Sequence, residues 1–131
     1  MNNTPLLRNA FMLDAVVSGA AAVLMIAGAP FLEPLLQLPQ PLLIGAGLVL
    51  VPYVALLVAL SRRPTVSRLM VIDVIGLNVL WSAASIGLLF TGWVEPSALG
   101  YAFVIIQAAA VALFAEIQFI AMRRAETAAE A

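Results

Sequence analysis

Three carboxylic acids, Asp14, Asp73 and Glu116, stand inside stretches of sequence that are otherwise apolar. Asp14 follows Arg8 by six residues, Asp73 follows Arg68 by five, and Glu116 precedes Arg123 by seven. At about 1.5 Å of rise per helical residue, each acid lies roughly one and a half to two turns from an arginine-marked end. The spacing predicts one layer of acids contributed by three helices. An acid within a membrane span is costly and is expected to face the bundle interior or a wet cavity. Helical offsets agree with that placement. Asp14 shares a face with Ser18, Ala21, Met25 and Gly28, Asp73 with Leu77, Leu80, Ala84 and Gly87, and Glu116 with Ala109 and Ala112. Small residues beside a polar group let helix backbones approach closely.

Two chemistries follow from such a layer. Poorly solvated, clustered carboxyls are suited to exchange protons or hold a cation. Alternatively, each acid pairs with an arginine that snorkels from the adjacent loop, which needs no cavity. Partner binding is a third use.

Much other chemistry is closed to the chain. It has no cysteine, no histidine and no lysine, so thiolate sites, imidazole bases and Schiff-base lysines are absent. Two aspartates on separate helices could share a proton as in intramembrane aspartyl proteases. Here, however, Asp73 lies in Val71-Ile72-Asp73-Val74 without flanking glycine, and four short spans leave little room for a substrate. A hard cation could be bound by carboxylates, but no ligand spacing is set. The expectation is a protein that is not an enzyme and carries no metal and no cofactor. A net charge of −1 without a basic run gives no basis for a nucleic-acid partner.

The elements that must position these acids are long and greasy. Hydrophobic residues make up 64% of the 131 and charged residues 10%, where soluble domains have about 45–50% and about 25%. A chain this short cannot hide so much apolar surface in a core of its own. The solvent is the lipid bilayer. Four spans are expected, at residues 9–29, 42–60, 69–90 and 98–122, with a short interfacial segment at 31–38 between the first two. Pro52 interrupts the hydrogen-bond ladder of the second span and is expected to bend it. Ala27-Gly28-Ala29 has the look of a signal-peptide cleavage site, but Pro30 directly after it argues for a retained first helix.

Arg8, Arg62, Arg63, Arg68, Arg123 and Arg124 all fall on one side of a four-span arrangement, and Glu33 and Glu95 on the other. Positive charge marks the cytoplasmic side, so both termini are expected there, in a bacterial inner membrane. The chain also reads as two copies of one hairpin, offset by about 60 residues. Asp14 matches Asp73, Gly28 matches Gly87, and Glu33-Pro34 matches Glu95-Pro96. Repeats of that kind are related by an axis along the membrane normal. Asn78, Ser82 and Ser85 form a second polar stripe on the third span, and Gln107 with Gln118 a second one on the fourth, nearly opposite Glu116. These residues, like Ser18, are expected to make interhelical hydrogen bonds. The extra polar face of the fourth span favours an oligomer or a partner.

In layout the chain resembles small bacterial four-helix membrane families of the DoxX-like type. The resembling parts are the glycine- and alanine-rich first helix, the proline-bounded 31–39 connection, and the 42–60 helix ending in Ser61-Arg62-Arg63-Pro64. The resemblance implies a four-helix bundle and, as for some members, an accessory place in a larger membrane complex. It carries over no functional residue. The resulting expectation is an all-α, four-helix transmembrane bundle that acts as an accessory or assembly subunit or as a homo-oligomer. A small proton-coupled transporter or permease using the acid layer is the alternative.

Overall fold

The computed structural model of the chain describes the backbone of residues 1–130 and the side chains of residues 1–128. Five helices follow one another: α1 (Pro5–Ala27), α2 (Ala29–Leu36), α3 (Gln40–Arg62), α4 (Arg68–Phe90) and α5 (Ala98–Glu130). All but α2 are long and apolar enough to cross a membrane.

Local signals set the helix ends. Thr4 accepts a hydrogen bond from the Leu7 amide at 3.3 Å and Pro5 occupies the first turn, so α1 begins upstream of the expected residue 9. Ser67 caps α4 through the Met70 amide, and Ser97 accepts from the Gly100 amide at the start of α5. Glu33 reaches from α2 to the Gln40 amide at 2.7 Å, placing a carboxylate at the N-terminus of α3. The segment expected at 31–38 overlaps α2, a short helix over Ala29–Leu36, and α3 continues through Pro52 as helix. α5 runs eight residues past the expected end at 122. Its alanine-rich continuation buries Ala125 and ties Glu126 to Arg68 at 3.0 Å.

α1 packs mainly on α3 and α4 mainly on α5, giving two hairpins joined chiefly through α1 and α5, while α3 and α4 make little contact with each other. Buried positions recur at steps of three, four and seven, as in Leu43, Gly47, Leu50, Leu57 and Leu60 on α3. Most of the remaining surface is apolar and exposed, with Val16, Val23, Val49, Leu69, Leu80 and Ile106 each more than half uncovered. Outward apolar residues and internally satisfied backbone are what lipid as a solvent demands.

The two ends of the bundle are closed differently. At the arginine end the N-terminal residues pair with the α3–α4 connection. Asn2 bridges Thr65, Met1 and Val66 exchange hydrogen bonds, and Asn3 Nδ2 donates to the Leu60 and Arg63 carbonyls at the end of α3. At the other end the start of α5 locks onto α2. The Ser97 amide and hydroxyl donate to the Leu36 and Leu35 carbonyls, and Gly100 lies directly on the Leu36 carbonyl. Buried apolar residues form two clusters, one around Phe11, Leu57, Val71 and Met122 and the other around Met25, Leu36, Leu43 and Val104.

A buried polar network as candidate functional site

Between those two apolar clusters lies a polar one, built from one or two side chains of each span. Asp14 of α1 is completely buried. Its Oδ1 accepts from Ser18, one turn on, at 2.8 Å. Its Oδ2 lies 2.7 Å from the Tyr53 hydroxyl of α3, 3.0 Å from Asn78 Nδ2 of α4 and 2.7 Å from Gln118 Nε2 of α5. Asn78 Nδ2 also donates to Gln118 Oε1 at 2.9 Å, and its Oδ1 lies 2.7 Å from the Tyr53 hydroxyl. Ser18, Asn78 and Gln118 are buried as well. Four contacts thus tie three other helices and Ser18 to a single carboxyl, and two more link the partners to one another, in surroundings where an unpaired polar group would cost several kcal/mol, of order 4–8 against hydrocarbon.

The helices carry these residues for legible reasons. Val71, Val74 and Asn78 occupy one face of α4, and on α5 Gln118 continues a ridge of small and flexible residues through Ala108, Ala115, Met122 and Ala125. That ridge brings the α5 backbone close to its neighbours. Ser82 strengthens the α4–α5 contact by donating to the Ala108 carbonyl at 2.9 Å.

Asp73 and Glu116 are placed otherwise. Both are exposed on the outer faces of α4 and α5, so the expected inward layer of three acids is corrected to one buried acid and two outward ones. The physical reason is the rotation of the helices. The amides Asn78 and Gln118 take the interior positions that hydrogen-bond Asp14, and this turns Asp73 and Glu116 away. Arginine pairing of the three acids is also corrected. Among the described residues the ion pairs are Arg68–Glu126 at 3.0 Å and Arg123–Glu126 at 4.0 Å. Arg8 and Arg63 instead point at the Arg63 carbonyl and the Met70 sulfur, and Arg62 and Arg124 are exposed. No three acids among the described residues converge into a ligand set.

The remaining polar residues divide. Asn78, Ser82 and Gln118 reach other helices as expected, and Gln107 Nε2 approaches the Met25 sulfur of α1 at 3.9 Å. Ser18 and Ser85 bond within their own helices, Ser85 to the Trp81 carbonyl. Tyr53 is the network residue that the spacing of acids did not reveal. It is one of two tyrosines and lies at mid-span, a position that calls for a hydrogen-bond partner when buried.

A cavity of 520 Å³ opens where α3 and α4 part. Leu50, Leu77 and Trp81 line its apolar walls, and Ser18, Tyr53 and Asn78 lie at its polar end. The network is therefore reached from the side of the bundle, between two helices. It can hold helices together, hold a proton among neutral partners, and meet a molecule entering from the bilayer. Comparison with protein-family models, with curated proteins and with solved structures gave no match.

Proposed function

We propose that this chain is a non-enzymatic protein of a bacterial inner membrane that works by association, as an accessory or assembly subunit of a larger membrane complex or as a homo-oligomer. The observation that carries the reading is the outward placement of Asp73 and Glu116 within α4 and α5. The 23 residues of α4 span roughly 34 Å against roughly 30 Å of hydrocarbon, so Asp73, five residues from the helix start, lies roughly 5 Å below the hydrocarbon edge. A carboxyl facing lipid there costs less than the roughly 2.5–3.5 kcal/mol of one at the bilayer centre, but acids within spans almost always face protein or water. A second protein lying against the exposed outer faces of α4 and α5 would supply that cover. The arginines gathered at one end support cytoplasmic termini, and the layout resemblance to DoxX-like families points to the same accessory class.

The test is a pull-down of tagged protein at native expression level in gentle detergent, with the mass of the intact complex measured. A stoichiometric larger partner or a defined homo-oligomer is expected. Replacing Asp73 and Glu116 together by alanine should weaken it roughly tenfold or more, at about 1 kcal/mol for each lost polar contact. A monomer with no stoichiometric partner overturns the proposal.

One observation favours a second reading, a small proton-coupled permease. The cleft between α3 and α4 ends on Ser18, Tyr53 and Asn78. This reading rests on Asp14 alone, because Asp73 and Glu116 face away from the cleft. It expects Asp14→Asn to abolish flux in liposomes while the bundle still forms, and unchanged flux counts against it.

A further inference from the structure

The hydrogens of the Asp14 network can be counted. Six close contacts join its five side chains: Ser18 to Asp14, Tyr53 to Asp14, Tyr53 to Asn78, Asn78 to Asp14, Asn78 to Gln118, and Gln118 to Asp14. Each contact needs one hydrogen between its two heavy atoms. The Ser18 and Tyr53 hydroxyls bring one each, the Asn78 amide brings two, and the Gln118 amide brings one, because only one of its two terminal atoms can be the nitrogen.

That makes five hydrogens for six contacts. Turning either amide over does not help. A reversed Asn78 places its oxygen against both Asp14 and Gln118 and supplies one hydrogen instead of two, and a reversed Gln118 still supplies one. The shortage falls on the Tyr53 hydroxyl, whose single hydrogen faces both Asp14 Oδ2 and Asn78 Oδ1 at 2.7 Å.

We propose that the sixth hydrogen is a proton on Asp14 Oδ2, which makes Asp14 a proton-binding site inside the bundle. The neutral acid donates to the Tyr53 oxygen, Tyr53 donates to Asn78 Oδ1, and the two amides of Asn78 and Gln118 donate to Asp14 Oδ2. Each of the six contacts then has a hydrogen. The groups facing Asp14 are Ser18 of α1, Tyr53 of α3, Asn78 of α4 and Gln118 of α5, and the only titratable one is Tyr53. No cation offsets a charge there, since among the described residues the arginines pair only with Glu126. A neutral network also avoids placing an uncompensated carboxylate in low dielectric, which costs several kcal/mol or more. Tyr53 and Asn78 also border the cleft between α3 and α4.

The chain suits a direct test, because Asp14 and Asp73 are its only aspartates. Protein labelled with 13C at the aspartate side-chain carboxyl is reconstituted in liposomes in neutral buffer, and its infrared spectrum is compared with that of unlabelled protein. Asp73→Asn leaves Asp14 as the sole labelled carboxyl. The expected result is an isotope-shifted carbonyl stretch of a protonated acid in this variant, sensitive to exchange into heavy water. A labelled carboxylate stretch with no acid carbonyl overturns the proposal. Should Asp73→Asn fail to fold, the wild-type protein decides. An isotope-shifted acid carbonyl that disappears in Asp14→Asn supports the site, and the absence of any labelled acid carbonyl refutes it.

Discussion

Asp14 gathers a hydroxyl from its own helix and a polar side chain from each of the other three spans, so the residues around it should behave as a unit. Replacing Gln118 or Asn78 by leucine removes two or three contacts and strands the partners in an apolar interior. A loss of about 1–3 kcal/mol is expected from thermal unfolding in detergent, with the double variant costing less than the sum. Tyr53→Phe removes two contacts and one hydrogen, leaving four contacts with four hydrogens, and should cost about 1 kcal/mol. Asp14→Asn keeps size and hydrogen-bonding capacity, so it should be milder than Asp14→Leu on the same melting curves. Asp14 itself was legible in the sequence, since an acid on a face of small residues in a span has one sensible direction. Asp73 and Glu116 were not, because each helix offers two polar faces and helical offsets alone do not choose between them. The choice follows from complementarity: a buried carboxyl needs donors, which Asn78 and Gln118 carry and further acids do not.

At the scale of elements, the bundle depends on a few close approaches. A β-carbon on Gly100 would run into the Leu36 carbonyl and Pro96, and one on Gly47 would lie 2.6 Å from Ile26 Cγ1 and 3.1 Å from the Ala22 carbonyl. Gly100→Ala should therefore separate α5 from α2 and destabilise the fold by about 1–3 kcal/mol. Gly45→Ala and Gly76→Ala, where nothing lies within 4 Å, should be neutral or slightly stabilising, as expected from helix propensity. Thermal melts of the three variants side by side check this. Helix positions were readable from apolar length, and the short α2 from its prolines. The ends were less so. Thr4-Pro5 is a start signal upstream of the apolar run, and the α5 extension is alanine-rich sequence whose helicity is fixed by Ala125 burial and the Arg68–Glu126 pair.

The whole molecule is two hairpins welded at both ends and parted along one side. The expected hairpin repeat does not extend to the environments of its matched residues. Asp14 is buried and Asp73 exposed, Gly28 ends α1 while Gly87 lies within α4, and Glu33-Pro34 belongs to a helix while Glu95-Pro96 belongs to a loop. The proposed orientation makes a separate prediction. A membrane-impermeant maleimide added to intact cells should label a cysteine at Gly92 and spare one at Thr65, and the reverse pattern would invert the topology. The chain lacks cysteine of its own, so each introduced thiol reports alone.

The same property serves the central claim, that the outer face of α4 and α5 is covered by protein. Single cysteines at Leu69 and Leu113, one turn from Asp73 and Glu116 and exposed in the chain, would be tagged with a benzophenone maleimide in native membranes and illuminated. Val23 on the outer face of α1 serves as the comparison position. The account predicts discrete cross-linked products from Leu69 and Leu113, either a second copy or one larger protein, and far less from Val23. Uncross-linked protein at all three positions, with lipid the only adduct, would contradict it.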